Sequence, residues 1–182
     1  MKVEQSNVVR LQLTELERLD PVTVFLEEFG PGRGRITIEC FGQAWSSFWP
    51  AMGCSLPEFF IDCNNDYLAK NLAQQMKPDI YDFDKLEQHL KREILRSFFH
   101  KKIDRNRAEA LLRQASDIDC NVTQDEGNVW LSDNSKLLYD VLGDEWYYSL
   151  PMQENPDYTY LCRIIDNVRA GLVEYIKIQG NP

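Results

Sequence analysis

The chain has 182 residues, of which 43% are hydrophobic and 27% charged, and a net charge of −9. That is the size of one domain and enough apolar material to offset the entropy of ordering, which excludes a wholly disordered chain. No apolar run reaches the roughly 18 residues of a membrane span, the opening MKVEQSNVVRLQL lacks the apolar centre of a signal peptide, and collagen, coiled-coil and disulfide-scaffold classes fail on composition, so the expectation is a soluble, acidic, intracellular globular domain.

Residues 7–13 place Val9, Leu11 and Leu13 on one side at period two, a strand pattern. Residues 22–29, VTVFLEEF, are rich in β-branched and aromatic residues and read as a second strand. Gly30-Pro31-Gly32-Arg33-Gly34 is the strongest turn signal in the chain. Residues 35–42 resume the β pattern with Ile36, Ile38 and Cys40 on one face. The spacing predicts a hairpin over 22–42 with a five-residue loop, extended by 7–13 to a three-stranded antiparallel sheet.

The period then changes. Phe41, Trp45, Phe48 and Trp49 fall at i, i+4, i+7 and i+8, one face of a short helix ended by Pro50. Phe41, Trp45 and Phe48 are assigned to the core, and partial exposure is expected for one or two of Trp49, Tyr147 and Tyr148. Ser55-Leu56-Pro57-Glu58 is a capping box with Pro in the first turn, and Asn65 or Asp66 is placed to cap a further helix. Residues 84–101 carry the clearest helical pattern, with Leu86, Leu90, Ile94 and Phe98 every four residues and Asp84 with Glu87 as its capping box. Asp104 caps a second helix with Ala108, Leu111, Leu112 and Ala115 inward, giving an αα-hairpin. Residues 116–132 read as a long loop, Ser132 or Asp133 as the cap of a helix ended by Gly143, and 157–176 as the last helix. The fold expected is α+β in a single domain of residues 1–182: a sheet over 7–42 against a mostly helical part over 44–178.

Charge is uneven along the chain. Residues 91–113 hold eight basic and three acidic groups, net +5, whereas 1–90 carry −6 and 114–182 carry −8. An acidic field disfavours generic binding to nucleic acid or membranes and attracts a basic or nucleic-acid-binding protein. The five cysteines, Cys40, Cys54, Cys63, Cys120 and Cys162, form no C-x-x-C pair and read as reduced thiols.

No segment carries a recognisable catalytic or cofactor motif, and no cofactor or metal is expected. The Gly30–Gly34 loop joins two strands, whereas phosphate loops open a helix. Residues 117–128 begin with the spacing of a calcium loop at Asp117, Asp119 and Asn121, but Val122 stands where glycine is required and Asn128 where glutamate is. Asp79, Asp82 and Asp84 cluster before a helix, where carboxylates favour its dipole. His89 and His100 lie on the charged helix, away from any nucleophile elbow.

The stretches DPVTVFLEEFGPGRGRITIECFGQAWSSFWPAMG, LPEFFIDCNNDYLAKNL, DEWYYSLP and YLCRIID resemble small accessory proteins encoded by temperate bacteriophages and prophages of enteric bacteria. The resemblance implies a phage origin and the bacterial cytoplasm, and it transfers no catalytic residue.

Three classes of function follow. The first is a non-enzymatic acidic protein that binds and modulates or inhibits a host protein, in anti-defence or host takeover, with DNA mimicry as one form. Trp49, Asp117, Asp119, Asp125, Glu126, Asp144, Glu145, Tyr147 and Tyr148 are its candidate contacts, since exposed aromatics and charge dominate such surfaces. The alternative is a nucleic-acid-associated protein using Arg96, Lys101, Lys102, Arg105 and Arg107 of the basic hairpin. The third is an enzyme whose site gathers distant residues, signalled by a deep polar pocket containing Glu39, Asp62 or His100.

Overall fold

The computed structural model describes residues 1–3, 5, 7–124 and 126–180, and these divide into two units: 1–78 with 156 onward, and Asp79–Asn155. The second is inserted in sequence between two parts of the first.

In the first unit, four strands run as an antiparallel meander: β1 (Val9–Leu13), β2 (Val22–Gly30), β3 (Arg33–Cys40) and β4 (Gln43–Trp49). Period-two alternation buries Val22, Val24 and Leu26 of β2 and Ile36, Ile38 and Cys40 of β3 on one face. The register sets Leu11, Val24, Ile38 and Trp45 abreast. Helices α1 (Leu56–Asp62), α2 (Asn65–Leu72) and α7 (Pro156–Gly180) supply the rest of this core through Leu56, Phe60, Leu68, Leu72 and the α7 stripe Leu161, Ile164, Ile165, Val168 and Leu172. The Ser55/Glu58 capping box starts α1, and the N-cap of α2 is Asn64, whose side chain accepts from Tyr67 N, rather than Asn65 or Asp66. Arg169 of α7 donates to the Cys63 carbonyl and to Asn65 Oδ1 at 2.8 and 2.7 Å, tying α7 to the α1–α2 connection.

The sheet has four strands, not three, and the correction lies at residues 43–49. The expected helix there is β4. Phe41 and Gly42 form a two-residue loop closed by the Cys40–Gln43 pair, and both have positive φ, 47° and 77°, as a type I′ turn requires. Phe41 is consequently 81% exposed and Phe48 44% exposed, while Trp49 is buried at 4%. The core assignments of Phe41 and Phe48 are therefore reversed: Phe48 lies on the outer face, 5.8 Å from Phe29. The β2–β3 loop is also shorter than five residues, because Gly30 pairs with Arg33 across Pro31 and Gly32.

The second unit opens and closes on a small clasp: β5 (Asp79–Tyr81) pairs antiparallel with β6 (Met152–Glu154), which the sequence pattern does not announce. Between them run α3 (Leu86–Phe99), α4 (Arg105–Ser116), α5 (Gly127–Asp133) and α6 (Ser135–Leu142). The αα-hairpin is present, and Leu86, Leu90 and Ile94 of α3 pack with Ala108, Leu111 and Ala115 of α4 and with Leu131, Leu137 and Leu138. Asp104 caps α4, accepting from Arg107 N at 2.7 Å. The approach to α3 is capped by Asp82, not Asp84: Asp82 is 2% exposed, accepts from Lys85 N, and initiates a 3-10 turn that leads into the helix. The segment expected as a loop through 132 contains α5. Among the described residues no helix is long and apolar enough to cross a membrane.

Candidate functional site

Two surface features of the second unit bring polar side chains together. The first is a groove of about 620 Å³ between α4, α5 and α6. Asp117, Asp119, Asp133 and Asp140 line it, with Arg107 and Lys136 as the cations. Asp117 ends α4, its N–H bonded to the Arg113 carbonyl. Asp119 sits in the following connection, where its carboxylate accepts from Asn121 N at 3.0 Å and its carbonyl accepts from the Trp130 indole N–H at 2.7 Å. Trp130 packs edge-on against Phe83 at 5.4 Å, so the core holds the acidic connection in place. Arg107 reaches Asp140 at 2.8 Å.

Of the sequence-derived contacts for a protein partner, Asp117 and Asp119 meet here. Asp133, read from the sequence as an alternative helix cap, and Asp140 join them. Four carboxylates from three elements are a long-range relation, and no spacing within any one element reveals it. Asp144 lies just beyond α6, where the Tyr139 hydroxyl donates to it. That bond, with the charges of Asp144 and Asp140, raises the Tyr139 phenol above its ordinary value. Glu145 precedes the aromatic turn 146–148, in which Tyr147 packs on Tyr148 at 4.3 Å with the rings tilted by 49°, and Tyr148 is 77% exposed. Glu126 accepts from both the backbone and the hydroxyl of Thr123, which holds its carboxyl below the usual range. Trp49 is removed from the candidate surface: it is in the core of the other unit, its indole N–H bonded to the Tyr67 hydroxyl at 3.1 Å. Asp125 lies outside the described residues.

Of the five candidate cations of the basic hairpin, three are paired with carboxylates. Arg107 is in the acidic groove, Arg105 is 3.8 Å from Glu109, and Arg96 is 3.5 Å from Glu93. Lys101 and Lys102, which carry no ion pair among the described residues, line a separate hollow at the α3–α4 turn with Phe98 and Phe99.

The second feature is a cleft of about 710 Å³ along α3. His89, Glu93, Arg96, Ser97 and His100 line it from i, i+4, i+7, i+8 and i+11 of the helix, so they share one face beside the apolar stripe. Lys102, Ser149 and the apolar pair Val141 and Leu142 complete it. The two histidines of the chain therefore share one cavity, which the sequence reading missed although the spacing was there to be seen. Arg92 lies 2.7 Å from His89 Nδ1. A guanidinium only donates, so Nδ1 accepts and neutral His89 carries its proton on Nε2. Nε2 is buried and makes no hydrogen bond of normal geometry. Burial, then the Arg92 charge, lower the His89 pKa, while Glu93 and the nearby Ser149 backbone oppose the shift. Of the residues named for an assembled enzyme site, His100 lies in this cleft, whereas Glu39 and Asp62 belong to the other unit.

All five cysteines are free thiols, and no cluster of three or more metal-ligating side chains occurs among the described residues. Residues 1–174 match the model of a family described as a phage family. No curated protein and no solved structure matches the chain.

Proposed function

The chain belongs to the phage family Phage_phiTE_072, and from that premise we propose that it works by binding a host protein and modulating or inhibiting it in the cytoplasm of an infected, enteric-type bacterium. The observation that carries this reading is the groove in which Asp117, Asp119, Asp133 and Asp140 converge. Carboxylates gathered from three elements produce a directed negative field, stronger toward one partner face than the same charge spread evenly. Trp130 and Ile118 in its lining offer apolar contact, and Tyr147 and Tyr148 form an exposed aromatic pair elsewhere on the same unit. The partner that fits is a protein presenting a cationic surface, such as one that itself grips nucleic acid. In that form the groove occupies the surface that DNA would take.

Capture from bacterial lysate with nuclease present tests the reading, followed by titration of the purified pair with salt. One stoichiometric host protein should survive nuclease and be released as salt rises from about 50 to 500 mM. The triple reversal D117K/D119K/D133K should weaken it at least about tenfold. Retention indifferent both to salt and to the reversal removes the proposal.

A further inference from the structure

We propose that the α3 cleft binds the phosphoryl group of a small molecule, held by Arg96, Lys102 and His100 with the hydroxyls of Ser97 and Ser149 beside them. This site is separate from the acidic groove and does not depend on a protein partner.

The composition of the cleft is opposite in sign to the rest of the molecule. In a chain of net charge −9, Arg96 and Lys102 face a cavity to which Glu93 contributes the one carboxylate among its lining residues. Glu93 does not neutralise Arg96 irreversibly. It lies 3.5 Å from Arg96 and 3.6 Å from Arg92, so an anion that takes Arg96 leaves Glu93 with Arg92. Exposed pairs of this kind contribute little and are readily exchanged. Arg96 then offers the forked donor set that suits tetrahedral oxyanions.

The set of side chains around the cavity is the second observation. Arg92 fixes the tautomer of His89 and the Ser149 backbone lies against the same ring, so His89 forms a fixed wall of the cleft. Ser97 and Ser149 line the same cleft and can donate to further oxygens. Donors surround the cavity, and its cations outnumber its carboxylate. Val141 and Leu142 give the remaining wall an apolar character, and a volume of about 710 Å³ admits an organic moiety as well as the phosphate.

The full-length protein would be titrated with inorganic phosphate and with AMP, each against chloride at matched ionic strength. The imidazole ¹⁵N resonances of His89 and His100 report the site, and calorimetry reports the affinity. Both histidines should shift saturably. Arg96→Gln and Lys102→Gln, both at exposed positions, should each weaken binding about tenfold, as expected for loss of a charge-assisted contact. Equal affinity for the two probes would assign recognition to the phosphoryl group alone, and tighter binding of AMP would place its nucleoside along Val141 and Leu142. The proposal is overturned if neither histidine shifts beyond the chloride control at up to about 10 mM ligand. It is equally overturned if the shifts persist unchanged in both variants.

Discussion

The Arg107 guanidinium of α4 lies 2.8 Å from the Asp140 carboxylate of α6, inside a groove that also holds Asp117, Asp119 and Asp133. This cation sits where four carboxylates converge, and its effect reaches beyond one pair. Arg107→Ala should cost about 1 kcal/mol in denaturant unfolding at low salt, and less at high salt, because mutual repulsion among the carboxylates then goes unrelieved. Asp140→Asn should cost less, since it removes one of the groove's four mutually repelling carboxylates along with the pair. The same Arg107→Ala change should strengthen capture of a cationic partner. Equal destabilisation by the two variants would show that the pair acts in isolation from the groove.

Lys101 occupies a position that geometry reserves for glycine. At the end of α3, Lys102 N bonds the Ser97 carbonyl and Lys101 N bonds the Phe98 carbonyl, the two reverse bonds of a Schellman motif, and Lys101 has φ 55°. A side chain there is strained by roughly 1 kcal/mol. Lys101→Gly should therefore stabilise the second unit by about 0.5 kcal/mol, after allowing for the lost charge near the helix C-terminus and the greater freedom of glycine when unfolded. Thermal unfolding checks the sign. A lower melting temperature would mean that the Lys101 side chain makes a compensating interaction.

Trp49 should be structural in every assay. It is 4% exposed, packs on Phe59 at 5.4 Å and donates to Tyr67. Trp49→Ala should cost about 3–5 kcal/mol through the cavity it leaves. Trp49→Phe should cost nearer 1–2 kcal/mol, because Tyr67 is partly exposed and its hydroxyl can turn to water. Intrinsic fluorescence through a urea titration separates these outcomes. A partner-binding defect in Trp49→Phe with stability intact would return this residue to the surface candidates.

The same tryptophan shows where the chain's local pattern was legible and where it was not. Strands β1 to β3, the Ser55 box, the Asp104 cap and the α7 stripe follow from short-range periodicity and capping chemistry, and each is present. Phe41, Trp45, Phe48 and Trp49 fit a helical period equally well, and what makes them β4 is pairing with β3. The turn that permits this is Phe41-Gly42, without the Asn or Asp that usually marks a two-residue hairpin loop. Likewise β5 and β6 are three residues each and exist only because they meet across more than seventy residues of chain. The acidic groove has the same character, being drawn from α4, α5, α6 and a connection. The α3 cleft differs. Most of its polar residues come from one stretch, His89 to His100, at helical spacing, and reading the apolar stripe alone concealed them.

His89 should make the protein less stable in mild acid. In the unfolded chain a histidine titrates near its ordinary value of about 6.5. In the folded protein burial and Arg92 lower that value, against the opposing pull of Glu93 and the Ser149 backbone, with His100 lining the same cleft. Below the ordinary value the unfolded chain therefore binds a proton that folded His89 refuses. More protons on the unfolded side means that stability rises with pH, so it is full above the ordinary value and lost as pH falls through the lowered one. Urea unfolding at a series of pH values from neutral into this window should show the decline, and His89→Gln should remove the part that belongs to this residue. A phosphate held in the cleft beside the ring favours the charged imidazole and should narrow the window, so saturating phosphate should flatten the acid-side slope in the wild type and leave His89→Gln unaffected. A slope that ignores both the substitution and the anion would mean that His89 is uncoupled from folding and from the cleft it lines.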